Sequence, residues 1–403
     1  MRFPEFSGEW KRYRVSDFLD FYSTNSLSWE QLDYDEGEIR NLHYGLIHKG
    51  LSTIVNINDC RLPFITKSNT PKNYTLCKNG DIAFADASED TNDVAKAVEF
   101  VNCDDKKIIC GLHTIHGRDK LNITYIGYKA FAFSSPKFSI QINRIAQGTK
   151  VFSISAKNFS ELFIGIPSLD EQKKIVSLLS LIDERIATQN KIIEEYKKLK
   201  NAIREKLLKT HIHKSIKTDL ANCALIKSGF AGSQNDYKKG VRVTRIETIS
   251  DRVIDVNKVG YCIEQPNDNE YKLRIGDILF SNINSVSHIG KTAYIDKDYD
   301  LYHGMNLLRI VPNQTLITPF YLYLQLNTSR SINWFKSTCN QAVSQASINQ
   351  TELGKLRVYI PEYQIQIRTC ELFSVLNNQL DIEQKNLICY LKLKQHLLTK
   401  MFI

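Results

Sequence analysis

The chain lacks the glycine-rich turns on which most nucleotide-binding folds depend. No two of its 18 glycines are separated by a single residue, so it contains no GxG motif. A Rossmann dinucleotide site is therefore not expected, and neither is the similar turn of many S-adenosylmethionine folds. The only Gly-Lys pairs, Gly290-Lys291 and Gly354-Lys355, have no glycine at the P-loop spacing before them. The sequence thus contains no P-loop for a triphosphate, and ATP-driven motion is not expected of it.

Paired prolines are also absent, because all nine prolines are isolated from one another. This excludes the Asn-Pro-Pro-aromatic loop with which adenine-N6 and cytosine-N4 methyltransferases hold a flipped base. No serine or cysteine lies in a recognisable nucleophile motif. Neither methyl transfer nor covalent catalysis is expected of this chain.

The cysteines give no sign of a disulfide framework or a zinc ribbon. There are nine of them, an odd number, scattered and without a CxxC pair. Such thiols are typical of proteins in a reducing compartment. No segment approaches the roughly 20 consecutive apolar residues of a membrane helix, and the first five residues do not begin a signal peptide. We therefore expect a cytoplasmic protein that does not enter a membrane.

Two short motifs have the residue types of metal or nuclease sites. His113-x-x-His116 could supply two metal ligands, but no further ligand lies at zincin spacing. Asp381-x-Glu383-x-Lys385 lies in a helical pattern, where alternating charges are typical of a solvated face. The prediction is that this chain has no metal site, no catalytic residue and no cofactor of its own.

Length and charge favour a protein of several domains with a polyanionic partner. The 403 residues suffice for two or three domains of about 150 residues each. The 53 Lys and Arg exceed the 44 Asp and Glu, which gives a net charge of +9. This modest excess favours an anionic partner over an acidic substrate.

A long stretch without glycine or proline follows Pro167 and predicts a helix that begins near Leu169. Its apolar residues recur at alternating steps of four and three, the period of a coiled-coil seam. The seam consists of Ile175, Leu179, Ile182, Ile186, Ile193, Tyr196, Ile203 and Leu207, with Gln189 and Lys200 in its two gaps.

The same pattern recurs 194 residues later. The second seam consists of Thr369, Phe373, Leu376, Leu380, Leu387, Tyr390, Leu397 and Met401, with Glu383 and Lys394 in the corresponding gaps. The boundary before the helix recurs as well, since Ile166-Pro167 maps onto Ile360-Pro361 and Gln172 onto Gln366. Upstream, a Gly-Asp-Ile-x-Phe motif occurs at 80–84 and again at 276–280. The chain is therefore a duplicated unit of domain and helix.

These features predict an α+β fold in which two mixed α/β domains are joined by two long helices. The helices are expected to pair antiparallel as a coiled coil, and the duplication predicts a pseudo-twofold internal repeat. Short strands are predicted near 241–246 and 293–295. The predicted boundaries are a first domain at 1–166, a first helix at 167–210, a second domain at 211–360 and a second helix at 361–403.

A pair of helices cannot cover every apolar side chain that they carry. Exposed apolar strips of this length typically dock partner proteins. The residues predicted to form such strips beside the seams are Leu178, Ile192, Leu199, Leu372, Ile388 and Leu393.

Taken together, these motifs resemble those of the specificity (S) subunits of type I restriction-modification systems, over essentially the whole chain. The resemblance rests on the opening segment 2–10, on both Gly-Asp-Ile-x-Phe motifs and on Gly-Leu-His-Thr-Ile at 111–115. It also rests on each Ile-Pro that is followed by a glutamine and a long helix. No single motif is decisive, but their order, spacing and duplication are specific.

The resemblance implies a non-catalytic, DNA-binding role in defence against foreign DNA. Each of the two domains would be a target-recognition domain for one half of a bipartite, asymmetric sequence in double-stranded DNA. The helices would set the spacer and dock two modification subunits, which bring S-adenosylmethionine and methylate adenine. Restriction subunits that use ATP and Mg²⁺ would complete the complex.

Candidate base contacts follow from the side chains that direct readout requires, which are Arg or Lys for guanine, Asn or Gln for adenine, and Ser or Thr as adaptable donors. In the first domain the candidates are Arg40, His43, His113, Arg118, Gln147 and Lys150. In the second domain they are Arg242, Arg245, Asn282, Asn284, Ser285, His288, Lys291, Gln341, Ser344 and Gln345.

Two other functions stay open from the residues alone. A coiled-coil scaffold that binds proteins would show no salt-dependent affinity for DNA. A self-contained nuclease or methylase would be active without partners, and the missing motifs disfavour it.

Overall fold

The computed structural model describes residues 2–91, 93–235, 237–286, 288–341 and 345–402. Within these residues the chain forms two compact units. The first unit extends to Lys191 and includes the segment from Gln384 onward, whereas the second unit is Ile192–Glu383. Both units are mixed α and β, as predicted. No helix in these described ranges is long and apolar enough to cross a membrane.

The first half of the chain forms short strands and helices before one long helix. Its strands are β1 (Lys11–Arg14), β2 (Leu19–Tyr22), β3 (Leu32–Asp33), β4 (Arg40–Leu42), β5 (Ile54–Asn56), β6 (Phe64–Ile65), β7 (Ile82–Ala85), β8 (Ala87–Ser88), β9 (Ala97–Val101), β10 (Ile108–Cys110), β11 (Thr114–Asp119), β12 (Phe152–Ser153) and β13 (Phe163–Ile166). Its helices are α1 (Val15–Phe18), α2 (Tyr44–His48), α3 (Tyr128–Phe133), α4 (Pro136–Ile145), α5 (Ala156–Ser160) and α6 (Leu169–His211).

The second half repeats this plan with fewer strands. Its strands are β14 (Ile216–Asp219), β15 (Ala224–Ser228), β16 (Gln234–Asn235), β17 (Val241–Val243), β18 (Gly260–Cys262), β19 (Ile278–Phe280), β20 (Ile283–Asn284), β21 (Thr292–Tyr294), β22 (Leu308–Pro312), β23 (Asn340–Gln341), β24 (Ala346–Ser347) and β25 (Arg357–Ile360). Its helices are α7 (Leu220–Cys223), α8 (Asp268–Tyr271), α9 (Pro319–Leu326), α10 (Ser329–Thr338), α11 (Gln350–Gly354) and α12 (Tyr363–Met401).

The sheets of the two units differ in size. The first unit has a five-stranded sheet in the order β2-β11-β7-β9-β5 and a four-stranded sheet in the order β10-β4-β6-β3. The second unit has an antiparallel sheet in the order β15-β22-β19-β21 and two three-stranded sheets, β16-β18-β17 and β20-β24-β23. Each unit has a separate antiparallel pair that leads into the long helix, β1 with β13 and β14 with β25.

Each Gly-Asp-Ile-x-Phe motif forms a turn and the first residues of a central strand. Gly80 and Gly276 have positive φ angles of 80° and 97°, a conformation that favours glycine. The strands that follow are buried, and β7 lies between β11 and β9 while β19 lies between β22 and β21. The repeated motif therefore marks the same structural position in both units.

A buried glutamine fastens the start of each long helix to its own unit. Gln172 accepts a hydrogen bond from the amide of Tyr125 (2.7 Å) and donates to the carbonyls of Ile123 and Pro167. Gln366 accepts from the amide of Thr318 (2.7 Å) and donates to the carbonyls of Leu316 and Pro361 in the same way. The two glutamines are 0% and 1% exposed, so the glutamine side of each bond is buried.

The predicted seams are confirmed as the inward faces of the long helices. None of the ten seam positions of α6 or the ten of α12 is exposed. In the first unit Asp183 pairs with Lys394, and Phe402, which directly follows α12, contacts Trp10 beside Glu171. As residue numbers rise along α12 they fall along the facing part of α6, so the two segments run antiparallel.

The same direction holds within the second unit. Lys200 donates to Asn377 at 2.9 Å, and Phe373 belongs to the same core cluster as Leu208. The helix starts also agree with the sequence, since α6 begins at Leu169 and α12 begins two residues after Pro361. After α6 ends at His211, strand β14 begins at Ile216.

We expect Gln172→Ala to loosen the junction between α6 and the segment 123–125. The substitution removes three hydrogen bonds, one from the Tyr125 amide and two to backbone carbonyls, which costs about 2 kcal/mol. Asn190→Ala, which removes an exposed side-chain amide of the same helix, is the matched control and should stay within about 0.5 kcal/mol of the unchanged protein. Hydrogen exchange at Tyr125 and along α3 measures the effect, and equal protection in both variants would contradict this account.

Candidate nucleic-acid interface

A polar patch forms in the first unit where the chain leaves strand β7. The amide of Ile154 donates to the carbonyl of Asp86 (2.9 Å), and the amide of Asp86 donates to the carbonyl of His113 (3.1 Å). Strand β8 pairs with β12, and Gln147 forms a two-way backbone bridge with Ser153. These bonds place His113 and Gln147 in one patch, and the exposed Lys150 lies in the turn between Gln147 and Ser153.

The second unit has a patch at the corresponding place. The amide of Ile348 donates to the carbonyl of Asn282 at 2.9 Å. Strand β20 pairs with β24, and β24 also pairs with β23, so that Asn284 and Gln341 both lie opposite Ala346. The structure therefore places Asn282, Asn284 and Gln341 in one patch beside β24. Their residue types alone did not predict this grouping.

The turn after β20 extends this second patch. Ser285 and His288 are exposed, and the Ser285 hydroxyl lies 2.8 Å from His288 Nδ1. Gln345 is exposed and directly precedes β24. The buried Oδ1 of Asn282 has no hydrogen-bond partner among the residues that the structure describes. Ser344 lies outside the described residues.

The two patches are equivalent by the internal repeat. Asp86 and Asn282 each come two residues after the Phe of a Gly-Asp-Ile-x-Phe motif. Each accepts, at its carbonyl, the amide of an isoleucine that precedes a short capped helix, α5 or α11. Asp86 was not among the predicted residues, although its position in the repeat identifies it. His48 was also not among the predicted residues. It lies beside this patch, with its Nε2 2.9 Å from the carbonyl of Ala87 on β8.

One predicted contact is corrected, because His43 is a core residue. Its side chain is 2% exposed, stacks on Trp29 with ring centroids 4.3 Å apart, and accepts the Gly45 amide at Nδ1 (3.1 Å) as the cap of α2. Burial lowers its pKa, which favours the neutral ring that this cap requires. We therefore remove His43 from the candidate set.

Arg118 is partly exposed, but its guanidinium is held by a buried carboxylate of the first unit. Its guanidinium donates twice to the Asp81 carboxylate, at 2.7 Å each, and once to the Leu76 carbonyl. Burial alone would raise the pKa of Asp81, but hydrogen bonds from Arg118 and His116 lower it below its usual value. Because these bonds hold Arg118 in place, we no longer count it as a base contact.

The side chains of the remaining basic candidates are held by contacts outside the two patches. Arg40 lies on β4 with its guanidinium over the Phe64 ring, 5.3 Å from the ring centroid. Arg242 donates to the Tyr299 carbonyl at 2.8 Å, and Lys291 donates to the Ser250 carbonyl at 2.7 Å. Arg245 follows β17 and donates to Gln234. Each of these side chains is therefore already engaged within its own unit, and only its remaining N–H groups could contact a ligand.

The two histidines of His113-x-x-His116 point to different partners. His113 Nδ1 lies 3.1 Å from Asp86, whereas His116 Nε2 lies 2.8 Å from Asp81 in the core. His116 is 0% exposed, while the side chain of His113 is half exposed. The pair therefore does not form a two-ligand site of its own.

Apolar side chains are exposed along both long helices. Five of the six predicted residues are exposed, namely Ile192, Leu199, Leu372, Ile388 and Leu393. Leu178 is the exception, because it is half-buried and packs against the core of the first unit. Further exposed members are Leu181 (63%) and Val375 (65%).

Comparison with known proteins places these features in one family. Residues 8–198 and 219–392 match the family model described as Type I restriction modification DNA specificity domain. The type I restriction enzyme MjaX specificity subunit of Methanocaldococcus jannaschii is 42% identical over 181 residues, which cover 44% of this chain and 43% of that protein. The EcoBI specificity subunit of Escherichia coli is 21% identical over 309 residues, covering 68% of this chain and 64% of that protein. The matches thus span about two fifths to two thirds of these curated relatives.

Two solved structures share the fold over almost the full length. The type I restriction-modification S subunit from M. genitalium aligns with 100% of this chain and 99% of its own, with a TM-score of 0.53 and 18% identity. A chain from a structural study of complex assembly and conformational transition in a type I R-M system covers 98% of this chain and 97% of its own, with a TM-score of 0.62 and 15% identity.

We expect His43→Ala and His113→Asn to separate a structural histidine from an exposed one. His43→Ala removes a helix cap and a buried stacked ring, so it should weaken the fold around α2 by about 2 kcal/mol. His113 has a positive φ of 55°, which asparagine tolerates, so His113→Asn should stay within about 0.5 kcal/mol. Hydrogen exchange of α2 measures both, and a stable His43→Ala protein would return His43 to the candidate set.

Proposed function

We propose that this chain, which belongs to the type I restriction-modification DNA specificity family, is the subunit that recognises the DNA target and carries no catalysis of its own. Each unit would read one half of a bipartite, asymmetric sequence. The observation that supports this most directly is the pair of equivalent patches around Asp86 and Asn282. The two patches lie at equivalent positions but carry different side chains, which suits two units that each recognise a different DNA sequence.

The side chains of the second patch suit direct readout of bases. Asn284 and Gln341 carry amides, which can donate and accept at once and so pair with the N6 and N7 edge of adenine. Ser285 and His288 add groups that adapt to either role. In the first patch His113, Gln147 and Lys150 present a ring, an amide and a cation, so the first half-site is expected to differ from the second.

Phosphate contacts would supply much of the affinity. The net charge of +9 favours binding to a polyanion, and each neutralised phosphate releases counterions and makes binding weaker as salt rises. Arg40, Arg242, Arg245 and Lys291, which lie outside the two patches, suit this role better than base readout. Such contacts position a protein on DNA without reading its sequence.

The catalytic steps would belong to partner subunits. Two modification subunits would bring S-adenosylmethionine and methylate adenine, and restriction subunits would use ATP and Mg²⁺. The exposed apolar residues of α6 and α12 suit the docking of the modification subunits, and we propose that the lengths of these helices set the spacer. All nine cysteines are free, which suits the reducing cytoplasm.

Replacing residues 1–165 with the first domain of another family member should change one half-site only. The reason is that the backbone bonds that form the first patch join residues between Asp86 and Ile154. Mapping of methylated adenines in cells that also make the modification subunit gives both half-sites. A change at both ends would refute the modular assignment.

The double substitution Asn284→Ala, Gln341→Ala should relax the second half-site. Loss of a bidentate amide contact costs about 1–3 kcal/mol of base discrimination, which is a factor of roughly five to 150. Asn269→Ala, at an exposed asparagine on α8 of the same unit, is the matched control and should leave the methylation motif unchanged.

Methylation mapping again measures the outcome, together with the affinity of the purified complex for its site at two salt concentrations. An unchanged motif in the double variant would remove Asn284 and Gln341 from the interface. A loss of affinity for every sequence alike would assign them to phosphate contacts. If the chain has no salt-dependent affinity for DNA, the alternative of a protein-binding scaffold would replace the proposal.

A further inference from the structure

Two thiols and an imidazole meet in the core of the first unit. Cys77 precedes the Gly-Asp-Ile-Ala-Phe motif, Cys110 ends strand β10, and His116 lies on β11. Their side chains are 4%, 2% and 0% exposed. The two sulfurs are 3.6 Å apart, and they lie with a ring nitrogen of His116 within 4.8 Å of one another.

The His116 ring is oriented by a carboxylate on its other side. Nε2 lies 2.8 Å from Asp81 Oδ2, and the same carboxylate accepts two hydrogen bonds from Arg118. Histidines that bind metals are typically held in this way, with the second nitrogen donating to a carboxylate. Asp81 and Arg118 also neutralise each other, so the pair adds no net charge beside the thiols.

The other nitrogen, Nδ1, is buried and has no hydrogen-bond partner among the described residues. As a neutral ring it would be an acceptor without a donor, and as a protonated ring it would be a donor without an acceptor. Buried polar atoms are rarely left in either condition. A cation bound by Nδ1 and the two sulfurs removes this unsatisfied group.

The separation of the sulfurs matches a tetrahedral metal site. Zinc binds thiolates at roughly 2.3 Å, so two thiolates on one zinc ion lie about 3.8 Å apart. Two thiolates balance the charge of a divalent ion, which a buried and otherwise neutral core requires. The softness of two sulfurs and one imidazole favours zinc over magnesium or calcium.

The second unit has other residues at the positions equivalent to Cys77 and His116. Leu273 takes the place of Cys77, three residues before the motif's glycine. Arg309 lies opposite Leu279 in the sheet as His116 lies opposite Ala83, and it pairs directly with Asp277 at 2.9 Å. In the second unit, where Arg309 stands at the position of His116, neither this thiol nor this imidazole is present.

We propose that Cys77, Cys110 and His116 form a structural binding site for a zinc ion, with Asp81 orienting His116. The ion would join the segment before the motif to strands β10 and β11, and so hold the strand that leads to Asp86 and the loop that carries His113. This revises the expectation from the sequence that the chain has no metal site. The proposal does not depend on the DNA target.

The test uses the full-length chain purified without chelators. Elemental analysis should find about one zinc ion per chain, and Cys77→Ser and Cys110→Ser should each reduce zinc to the background of the buffer. Cys60→Ser, in the same core cluster, and Cys223→Ser, a buried thiol of the second unit, are the matched controls and should keep the zinc. Substitution with cobalt should add a thiolate-to-metal charge-transfer band, and its visible bands report whether a fourth group completes the coordination.

Two further measurements keep the proposal open to contradiction if the serine variants fail to fold. The unchanged protein should lose its metal to a strong chelator and unfold at a lower temperature afterwards. Titration of thiols in denaturant without reductant should count all nine. Two missing thiols would mean a Cys77–Cys110 disulfide, and the absence of both zinc and a cobalt band from the unchanged protein would equally overturn the site.

Discussion

The two long helices, of 43 and 39 residues, each carry an apolar stripe whose exposure to water is unfavourable. The remaining structure depends on how these stripes are buried. In each unit a segment of α6 packs against a segment of α12 in the opposite direction. Lys394 pairs with Asp183 in the first unit, and Lys200 donates to Asn377 in the second. A polar residue within an apolar seam costs stability when it is unpaired, so such positions favour one register over its neighbours.

Each unit is tied to its helix by the same device. Gln172 and Gln366 are fully buried and make the same three backbone contacts, one accepted and two donated. A side-chain amide can satisfy carbonyl and amide groups of a loop at once, which few other side chains can do. The duplication therefore keeps the joint between domain and helix the same, while the polar residues around Asp86 and Asn282 are free to differ. Such a division suits a protein whose two domains recognise different sequences.

Much of this architecture could be predicted because it is local in sequence. The period of the seams, the breaker at Pro167 and the offset of 194 residues predicted both helices and the repeat, and all the seam positions are turned away from solvent. The side chains of single candidates could not be placed in this way. His43 and Arg118 look like surface groups in the sequence. Only the structure shows that His43 is buried against Trp29 and that Arg118 is paired with the buried Asp81.

The same limit applies to the grouping of the candidates. Asn284 and Gln341 are far apart in the chain, and they lie in one patch because each is opposite Ala346, on the two strands that flank β24. Cys77 and His116 are likewise joined by the strand order of the first unit. Long-range pairing of this kind follows from topology, which hydrophobic periodicity alone does not specify.

The most direct measurement is a map of methylated adenines in cells that express the matching modification subunit, with and without this chain. The account predicts a bipartite motif with two different halves that appears only when both proteins are present. Methylation that is identical without this chain, or a motif with no second half, would contradict the central claim that the two units read one DNA target together.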